Sequence, residues 1–130
     1  MGLHWKPAEY SSVSPYLMVR NAQGVIDFLR QALGATELRR FDMPDGTVMH
    51  SEVRIDDSVI MLAEGSDAYP AFPAWLHVYV RDVDATYRRA LDLGAESVQE
   101  PRQNEGEADR RGGVKDPAGN VWWIATQLEQ

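Results

Sequence analysis

The chain has 130 residues, of which 44% are hydrophobic and 25% charged, a size and balance typical of one globular domain. Its 13 Lys and Arg residues against 20 Asp and Glu give a net charge of −7, so a nucleic-acid partner, which needs a positive surface, is not expected. The absence of cysteine excludes disulfides, thiolate nucleophiles and Cys-based zinc sites. No apolar run has the length of a signal peptide or membrane span, which predicts a cytoplasmic protein without membrane contact.

The first half of the chain predicts a strand, a helix and three further strands. In residues 21–33, apolar side chains recur every three or four positions, as they do on one face of a helix. Asn21 is a suitable N-cap, and Gly34 supplies a C-terminal stop. Alternation of apolar and polar residues predicts strands at residues 14–20, 37–40, 48–55 and 59–63.

The second half repeats this order. Asp82 caps a second helical segment, residues 82–93, and Gly94 ends it. Strands are predicted at residues 75–80, 97–99, 110–115 and 121–126. Three landmarks recur 60 to 62 residues apart, namely the pairs Val19 and Val80, Gly34 and Gly94, and Val59 and Val121.

Recurrence of several landmarks in the same order indicates a duplicated unit. We therefore expect a single α+β domain over residues 1–130, built from two βαβββ modules. Module one spans about residues 13–64, a linker spans 65–74, and module two spans about 75–127. Their eight strands are expected to form a curved mixed sheet around a pocket, with both helices on its outside.

Strand alternation also predicts which side chains share a face of the sheet. One face is mainly aliphatic and suits packing under the helices. The opposite face combines aromatic rings with a few polar groups, at Tyr16, His50, Glu52, Arg54, Trp75, His77, Tyr79 and Trp123. This combination is typical of a ligand pocket, although a dimer interface or a second core would also account for it.

Four short motifs stand in order along residues 13–126. They are Ser14-Pro15-Tyr16-Leu17-Met18-Val19, Met49-His50-Ser51-Glu52-Val53, Leu76-His77-Val78-Tyr79-Val80 and Asp116-Pro117-Ala118-Gly119-Asn120. Together they resemble the vicinal oxygen chelate superfamily, which contains glyoxalases, bleomycin-resistance proteins and dioxygenases, and most closely its PhnB-like branch. The resemblance implies the glyoxalase/bleomycin-resistance fold, and a homodimer in which modules are often exchanged between subunits.

The resemblance also implies where the superfamily's enzymes hold a divalent metal, with one ligand from each of four strands. Those positions fall here on Ser14, Glu52, Trp75 and Trp123. Only Glu52 is a good ligand, because indole offers no lone pair and serine ligates poorly. No metal or other cofactor is therefore predicted. A displaced metal site built from His50, Glu52 and His77 is left as an alternative.

Two functions from different classes are left open. The favoured one is a metal-free small-molecule-binding protein, similar to the antibiotic-sequestering members of the superfamily. Its ligand is expected to be planar, heteroaromatic and neutral or cationic, stacked on aromatic rings and oriented by His50 and His77. The alternative is a metal-dependent lyase, isomerase or dioxygenase of glyoxalase type.

Three further expectations concern the pocket. Glu52 would have a raised pKa and could act as a base if Trp75 and Trp123 surrounded it, although no catalytic residue is assigned. The two tryptophans could instead fill and close the cavity. The polar segment 100–113 is expected to form a mobile lid over the pocket.

Overall fold

The computed structural model describes residues 4–129, so residues 1–3 and 130 of the expected domain lie outside the described part. The elements are β1 (Tyr16–Val19), α1 (Ala22–Leu33), β2 (Thr36–Asp42), β3 (Val48–Ile55), β4 (Ser58–Glu64), β5 (Trp75–Tyr79), α2 (Val83–Asp92), β6 (Glu96–Arg102), β7 (Asp109–Lys115) and β8 (Val121–Gln127). The predicted α+β fold of two βαβββ units is confirmed. Within residues 4–129 no helix is long and apolar enough to cross a membrane.

The strands form two four-stranded sheets rather than one hydrogen-bonded sheet of eight. Their orders are β1-β4-β3-β2 and β5-β8-β7-β6, and in each the first pair is parallel while the other pairs are antiparallel. Strands β1 and β5 are both edge strands. The connector between the sheets pairs with part of the β1 edge, since the Phe72 amide donates to the Met18 carbonyl at 3.1 Å. The connector therefore occupies hydrogen-bonding positions that a fifth strand would need.

Each helix covers one face of its own sheet. The helix faces carry aliphatic residues of α1 and the largely buried Tyr87 and Ala90 of α2. They pack against Leu17 and Leu62 of the first sheet and against Trp122 of the second, all at most 3% exposed. The buried residues of both units form one continuous core. Because successive side chains point to opposite faces of a strand, the alternate residues lie on faces that no helix covers.

The turn between β7 and β8 is organised by the buried carboxylate of Asp116. It accepts hydrogen bonds from the amides of Ala118 and Asn120 at 2.9 and 3.1 Å, from Asn120 Nδ2 at 3.0 Å and from Trp122 Nε1 at 2.9 Å. The Asn120 side chain in turn accepts from the Ala74 amide at 2.8 Å. This network joins the end of the connector, the start of β8 and a buried indole, and so stabilises the register between β5 and β8.

The expectation of a lid over residues 100–113 is wrong for most of that segment. Strand β6 continues to Arg102 and β7 begins at Asp109, which leaves only residues 103–108 as a loop. Pro101 does not end β6, because β6 is the outer strand of its sheet, where a missing amide proton can face away from the neighbouring strand. The polar side chains of β6 are those expected on a solvent-exposed sheet edge.

We expect Asp116→Ala to lower the free energy of unfolding by about 3 kcal/mol or more. The substitution leaves several buried donors without an acceptor, and each loss costs roughly 1–3 kcal/mol. Asp57→Ala is the matched control. The exposed Asp57 carboxylate accepts from Ser58 Oγ at 2.9 Å in the turn between β3 and β4 of the first module. It should change stability by less than about 1 kcal/mol. Equal losses in chemical denaturation of both variants would contradict a special role for the Asp116 network.

Candidate ligand-binding site

The eight residues predicted to line a pocket lie on the sheet faces opposite the helices, and they form two clusters. Strand register places Tyr16 and Glu52 on either side of Met61 in the first sheet, and His77 beside Trp123 in the second. The first cluster consists of Tyr16, His50, Glu52 and Arg54. The second cluster consists of Trp75, His77, Tyr79 and Trp123.

In the first cluster, a chain of hydrogen bonds ends on a buried carboxylate. Tyr16 Oη lies 2.8 Å from His50 Nδ1, and His50 Nε2 lies 2.7 Å from Glu52 Oε2. The second carboxylate oxygen, Glu52 Oε1, accepts a hydrogen bond of 2.5 Å from Tyr10 Oη. Glu52 is only 4% exposed, so these partners take the place of water around its charge.

The electrostatics of Glu52 differ from those expected of a desolvated base. Burial by itself raises the pKa of Glu52, but the hydrogen bonds from Tyr10 and His50 and the positive charge of Arg39 outweigh burial and lower it below its ordinary value. Arg39 Nε lies 4.0 Å from Glu52 Oε1. Trp75 and Trp123, whose enclosure of this carboxylate would raise its pKa, belong to the other sheet. The condition for a raised Glu52 pKa is therefore not met.

Sequence reasoning missed two residues that contact the first cluster, Tyr10 and Arg39. Tyr10 belongs to the segment before β1, and its ring lies under the Arg39 guanidinium at 5.4 Å. The same segment is held by Arg54 Nη2, which donates to the Glu9 carbonyl at 3.1 Å. No periodicity or motif in this segment indicates that it returns to the sheet. Arg39 lies where the β2–β3 register shifts, between Glu37 and Arg40, so strand alternation did not predict its place beside Glu52 either.

In the second cluster, the indoles of Trp75 and Trp123 meet edge to face with ring centroids 5.5 Å apart. Trp75 is 75% exposed. Trp123 lies over Gly113 of the neighbouring strand, where an added Cβ would come within 2.7 Å of Trp123 Cζ3. Gly113 therefore provides the space in which this indole lies against the sheet. Sequence reasoning did not assign that role to Gly113.

Beside the indoles, His77 and Tyr79 join a small polar network. Their rings pack edge to face with centroids 4.9 Å apart, and Arg111 Nε donates to His77 Nε2 at 3.1 Å. Asp109 Oδ2 accepts from Tyr79 Oη at 2.8 Å and from Arg111 Nη2 at 2.9 Å. Burial and the charge of Arg111 lower the pKa of His77, against a smaller opposing effect of Asp109. Neutral His77 can therefore accept a hydrogen bond.

A cavity of about 690 Å³ lies between the edge strands β1 and β5. Four of the eight predicted residues line it: Tyr16, Trp75, His77 and Tyr79. Ser11 and Val13 of the segment before β1 border the same cavity. The cavity therefore draws on both sheets, although the two polar clusters lie one on each sheet.

A second cavity, of about 890 Å³, lies on the open face of the first sheet beside Tyr16 and is lined by Met18, Met43 and Met49. Alternation alone would place Met49 with the helix-facing residues. In the structure it is 50% exposed, because the β2–β3 register shifts by one residue between Phe41 and Asp42 and leaves Met49 as the extra residue of a bulge.

The donor set does not fit the divalent metal that the resemblance implies. Within residues 4–129, no three His, Cys, Asp or Glu side chains come together as metal ligands. His77 bonds to Arg111 on the second sheet, whereas His50 and Glu52 bond to each other on the first. The displaced metal site of His50, Glu52 and His77 is therefore not assembled in this chain.

Comparison with known proteins gives the family and the fold. Residues 11–124 match the family model of the Glyoxalase/Bleomycin resistance protein/Dioxygenase superfamily. An uncharacterized protein of Mycobacterium bovis is 35% identical over 141 residues, which cover 100% of this chain and 90% of that protein. An uncharacterized protein of Mycobacterium tuberculosis H37Rv is also 35% identical over 141 residues, which cover 100% of this chain and 80% of that protein.

Solved structures share the fold at lower sequence identity. TioX from Micromonospora sp. ML1 has a TM-score of 0.71 at 23% identity, with 89% of this chain and 95% of that chain covered. TnmS3, an antibiotic binding protein from Streptomyces sp. CB03234, has a TM-score of 0.68 at 20% identity, with 91% and 99% covered. The fosfomycin resistance protein FosX from Listeria monocytogenes has a TM-score of 0.69 at 16% identity, with 89% and 92% covered.

The lowered pKa of Glu52 predicts how Glu52→Gln changes the pH dependence of stability. A carboxyl group whose pKa is lowered by folding stabilises the protein above its unfolded pKa, and this contribution is lost as pH falls through the folded pKa. At neutral pH the variant should be less stable by about 1.5–3 kcal/mol, the usual value of hydrogen bonds to a charged group. The difference should shrink as the pH falls below the ordinary glutamate pKa.

Chemical denaturation of both proteins at several pH values measures this difference. Glu105→Gln, the same substitution in the exposed loop after β6, is the control and should leave the free energy of unfolding nearly unchanged. A Glu52→Gln deficit that grows as the solution becomes acidic would show that folding raises the Glu52 pKa instead.

Proposed function

The chain belongs to the Glyoxalase/Bleomycin resistance protein/Dioxygenase superfamily, and from this premise we propose that it is a small-molecule-binding protein that holds a planar aromatic ligand without a metal ion. The observation that carries the proposal is the indole pair of exposed Trp75 and half-buried Trp123, beside the hydrogen-bonding ring of His77. The motifs around Tyr16, His50 and Asp116 support a place in the PhnB-like branch. An antibiotic-type ligand is supported by the shared fold of TnmS3, which is itself an antibiotic binding protein.

The indole pair offers a stacking surface that the chain itself leaves uncovered. Trp75 is 75% exposed and borders the cavity between β1 and β5, so it does not fill a closed space. Aromatic pairs contribute about 0.5–1.5 kcal/mol beyond the effect of area burial. Because His77 Nε2 already accepts from Arg111, its Nδ1–H is a donor at the edge of this surface, and the Tyr79 hydroxyl, which donates to Asp109, can still accept there. Apolar walls with a few placed polar groups are typical of small-molecule sites.

The metal-dependent alternative has less support from the donor set. Of the four residues that correspond to the metal ligands of the superfamily's enzymes, two are tryptophans, and Ser14 lies before β1 with its Oγ 3.3 Å from Ser11 Oγ. The fourth residue, Glu52, already accepts hydrogen bonds on both oxygens. Binding by stacking and shape requires none of these groups to rearrange around an ion.

We expect Trp75→Ala and Trp123→Ala each to weaken binding of a planar heteroaromatic ligand by roughly fivefold, the equivalent of about 1 kcal/mol of stacking. Trp5→Ala is the matched control, since Trp5 is exposed like Trp75 but neither belongs to the indole pair nor lines the cavity. The measurement is tryptophan fluorescence during titration with a panel of neutral, cationic and anionic aromatic antibiotics. The proposal is wrong if no panel member binds, or if all three variants bind like the unsubstituted protein.

We further propose that two copies of the chain associate through the faces that the helices leave open. Large apolar side chains on or beside these faces are between 45% and 75% exposed, namely Tyr16, Phe41, Met43, Met49, Tyr69, Phe72, Trp75 and Tyr79. Contiguous apolar surface of this kind marks an interface or a ligand site. A twofold arrangement, with or without exchange of modules, would cover both faces with identical contacts.

Light scattering at micromolar concentration should therefore give the mass of a dimer. Phe41→Glu places a charge on the open face of the first sheet and should shift the protein toward monomer by more than tenfold in dissociation constant. The control Leu128→Glu introduces the same charge at a 53% exposed apolar residue just after β8 and should leave the mass unchanged. A monomeric unsubstituted protein would refute the proposal.

A further inference from the structure

The carboxylate of Glu52 and the guanidinium of Arg39 together bind the phenol ring of Tyr10, and we call this arrangement the Glu52 site. We propose that this site binds the phenolic ring of a ligand, and that residues 4–14 are its displaceable internal occupant. The proposal rests on the function proposed above and extends it, because it names the chemical group that the first sheet recognises.

The carboxylate determines that the occupant must donate a hydrogen bond. Glu52 is 4% exposed, and its Oε2 is taken by His50 at 2.7 Å. Its Oε1 accepts the hydroxyl of Tyr10 at 2.5 Å. A buried carboxylate that loses a donor without replacement is strongly disfavoured. Any molecule that takes the place of Tyr10 must therefore bring a donor of its own.

The arginines determine that the occupant must be aromatic and uncharged. The Arg39 guanidinium lies over the Tyr10 ring at 5.4 Å, a position that favours the negative face of an aromatic ring. The positive charges of Arg39 and Arg54 act on the same ring and oppose the attraction of Glu52, so a positive charge on the ring is not favoured as it would be beside Glu52 alone. An anionic ring would be repelled by Glu52. A neutral ring that bears a hydroxyl group meets all of these conditions.

Residues 4–14 are attached to the sheet through the Tyr10 ring and through the Glu9 carbonyl, which accepts from Arg54. Trp5 and Val13 are each 85% exposed, so the segment buries neither large apolar side chain. Glu9 has a φ of 64°, a left-handed conformation that is unfavourable for a residue other than glycine. Ser11 and Val13 border the cavity of about 690 Å³. Displacing the segment would therefore extend that cavity toward Glu52.

Removal of the internal ring tests the proposal with p-cresol, the side chain of tyrosine as a free molecule. In Tyr10→Gly, p-cresol should bind at least tenfold more tightly than in the unsubstituted protein, as measured by calorimetry. Toluene, which lacks the donor, should bind at least tenfold more weakly than p-cresol. The combination of Tyr10→Gly with Glu52→Gln should abolish the preference for p-cresol.

The matched control is Tyr69→Gly, which removes a tyrosine that is 71% exposed and should leave the affinity for p-cresol at the unsubstituted value. A second variant, Tyr10→Phe, keeps the ring and removes only its hydroxyl. It should release the segment more easily and bind p-cresol severalfold more tightly than the unsubstituted protein, without gaining affinity for toluene. The proposal is overturned if folded Tyr10→Gly binds p-cresol no better than toluene, or if Tyr10→Phe and Tyr69→Gly behave alike.

The pH dependence provides an independent readout. 4-Nitrophenol, whose hydroxyl ionises near neutral pH, should bind Tyr10→Gly well in mildly acidic solution and poorly in mildly alkaline solution, since the phenolate is repelled by Glu52. The affinity for p-cresol should be the same in both. These measurements do not involve Trp75 or Trp123. Failure of the aromatic panel would therefore leave the phenol site standing, and failure of p-cresol would leave stacking on the indoles standing.

Discussion

Each of the two sheets is covered by a helix on only one face, and the remaining properties of the molecule depend on this one-sided packing. Alternation along the strands places the aliphatic set under the helices and leaves the other set without a partner from the same chain. In a sheet exposed to water that set would be polar. Here it includes indoles, phenols and methionines, whose exposure is unfavourable unless a ligand or another subunit covers them.

Two buried carboxylates show how the same chemical group serves different purposes in this fold. Asp116 is saturated by donors from its own turn and from a neighbouring indole, all within one module, and it stabilises the register of the second sheet. Glu52 faces the open side of the first sheet and takes one of its donors from a segment outside the sheet. A carboxylate whose donor comes from a weakly packed segment can exchange that donor. One whose donors are fixed by a tight turn cannot.

The local charge of the site also differs from that of the whole chain. The protein carries a net charge of −7, which by itself favours a cationic ligand. Around the Glu52 carboxylate, however, Arg39 compensates for the negative charge, and beside His77 the guanidinium of Arg111 pairs with the Asp109 carboxylate. Neutral aromatic ligands that carry hydrogen-bonding groups are thus better matched to both clusters than strongly charged ones.

The sequence contained most of the fold, because its signals are local. Helical periodicity, glycine stops and the repeated spacing of landmarks predicted two βαβββ units, and strand alternation predicted the residues of the two open faces. Local signals failed where neighbouring elements changed the outcome. The bulge at Met49 arises from the register with β2, and the length of β6 depends on its position at a sheet edge, where proline is tolerated.

The sequence by itself therefore determined the order of the elements, most residues of each face and the resemblance to a superfamily. Only the tertiary structure decided how those residues are grouped. It separated the eight residues into one cluster per sheet, brought Tyr10 to Glu52 across 42 positions of the chain, and placed Arg111 beside His77. Alternation specifies on which face a side chain lies. The distance between side chains on different strands depends on strand order and on loops that return to the sheet, and no local pattern encodes these.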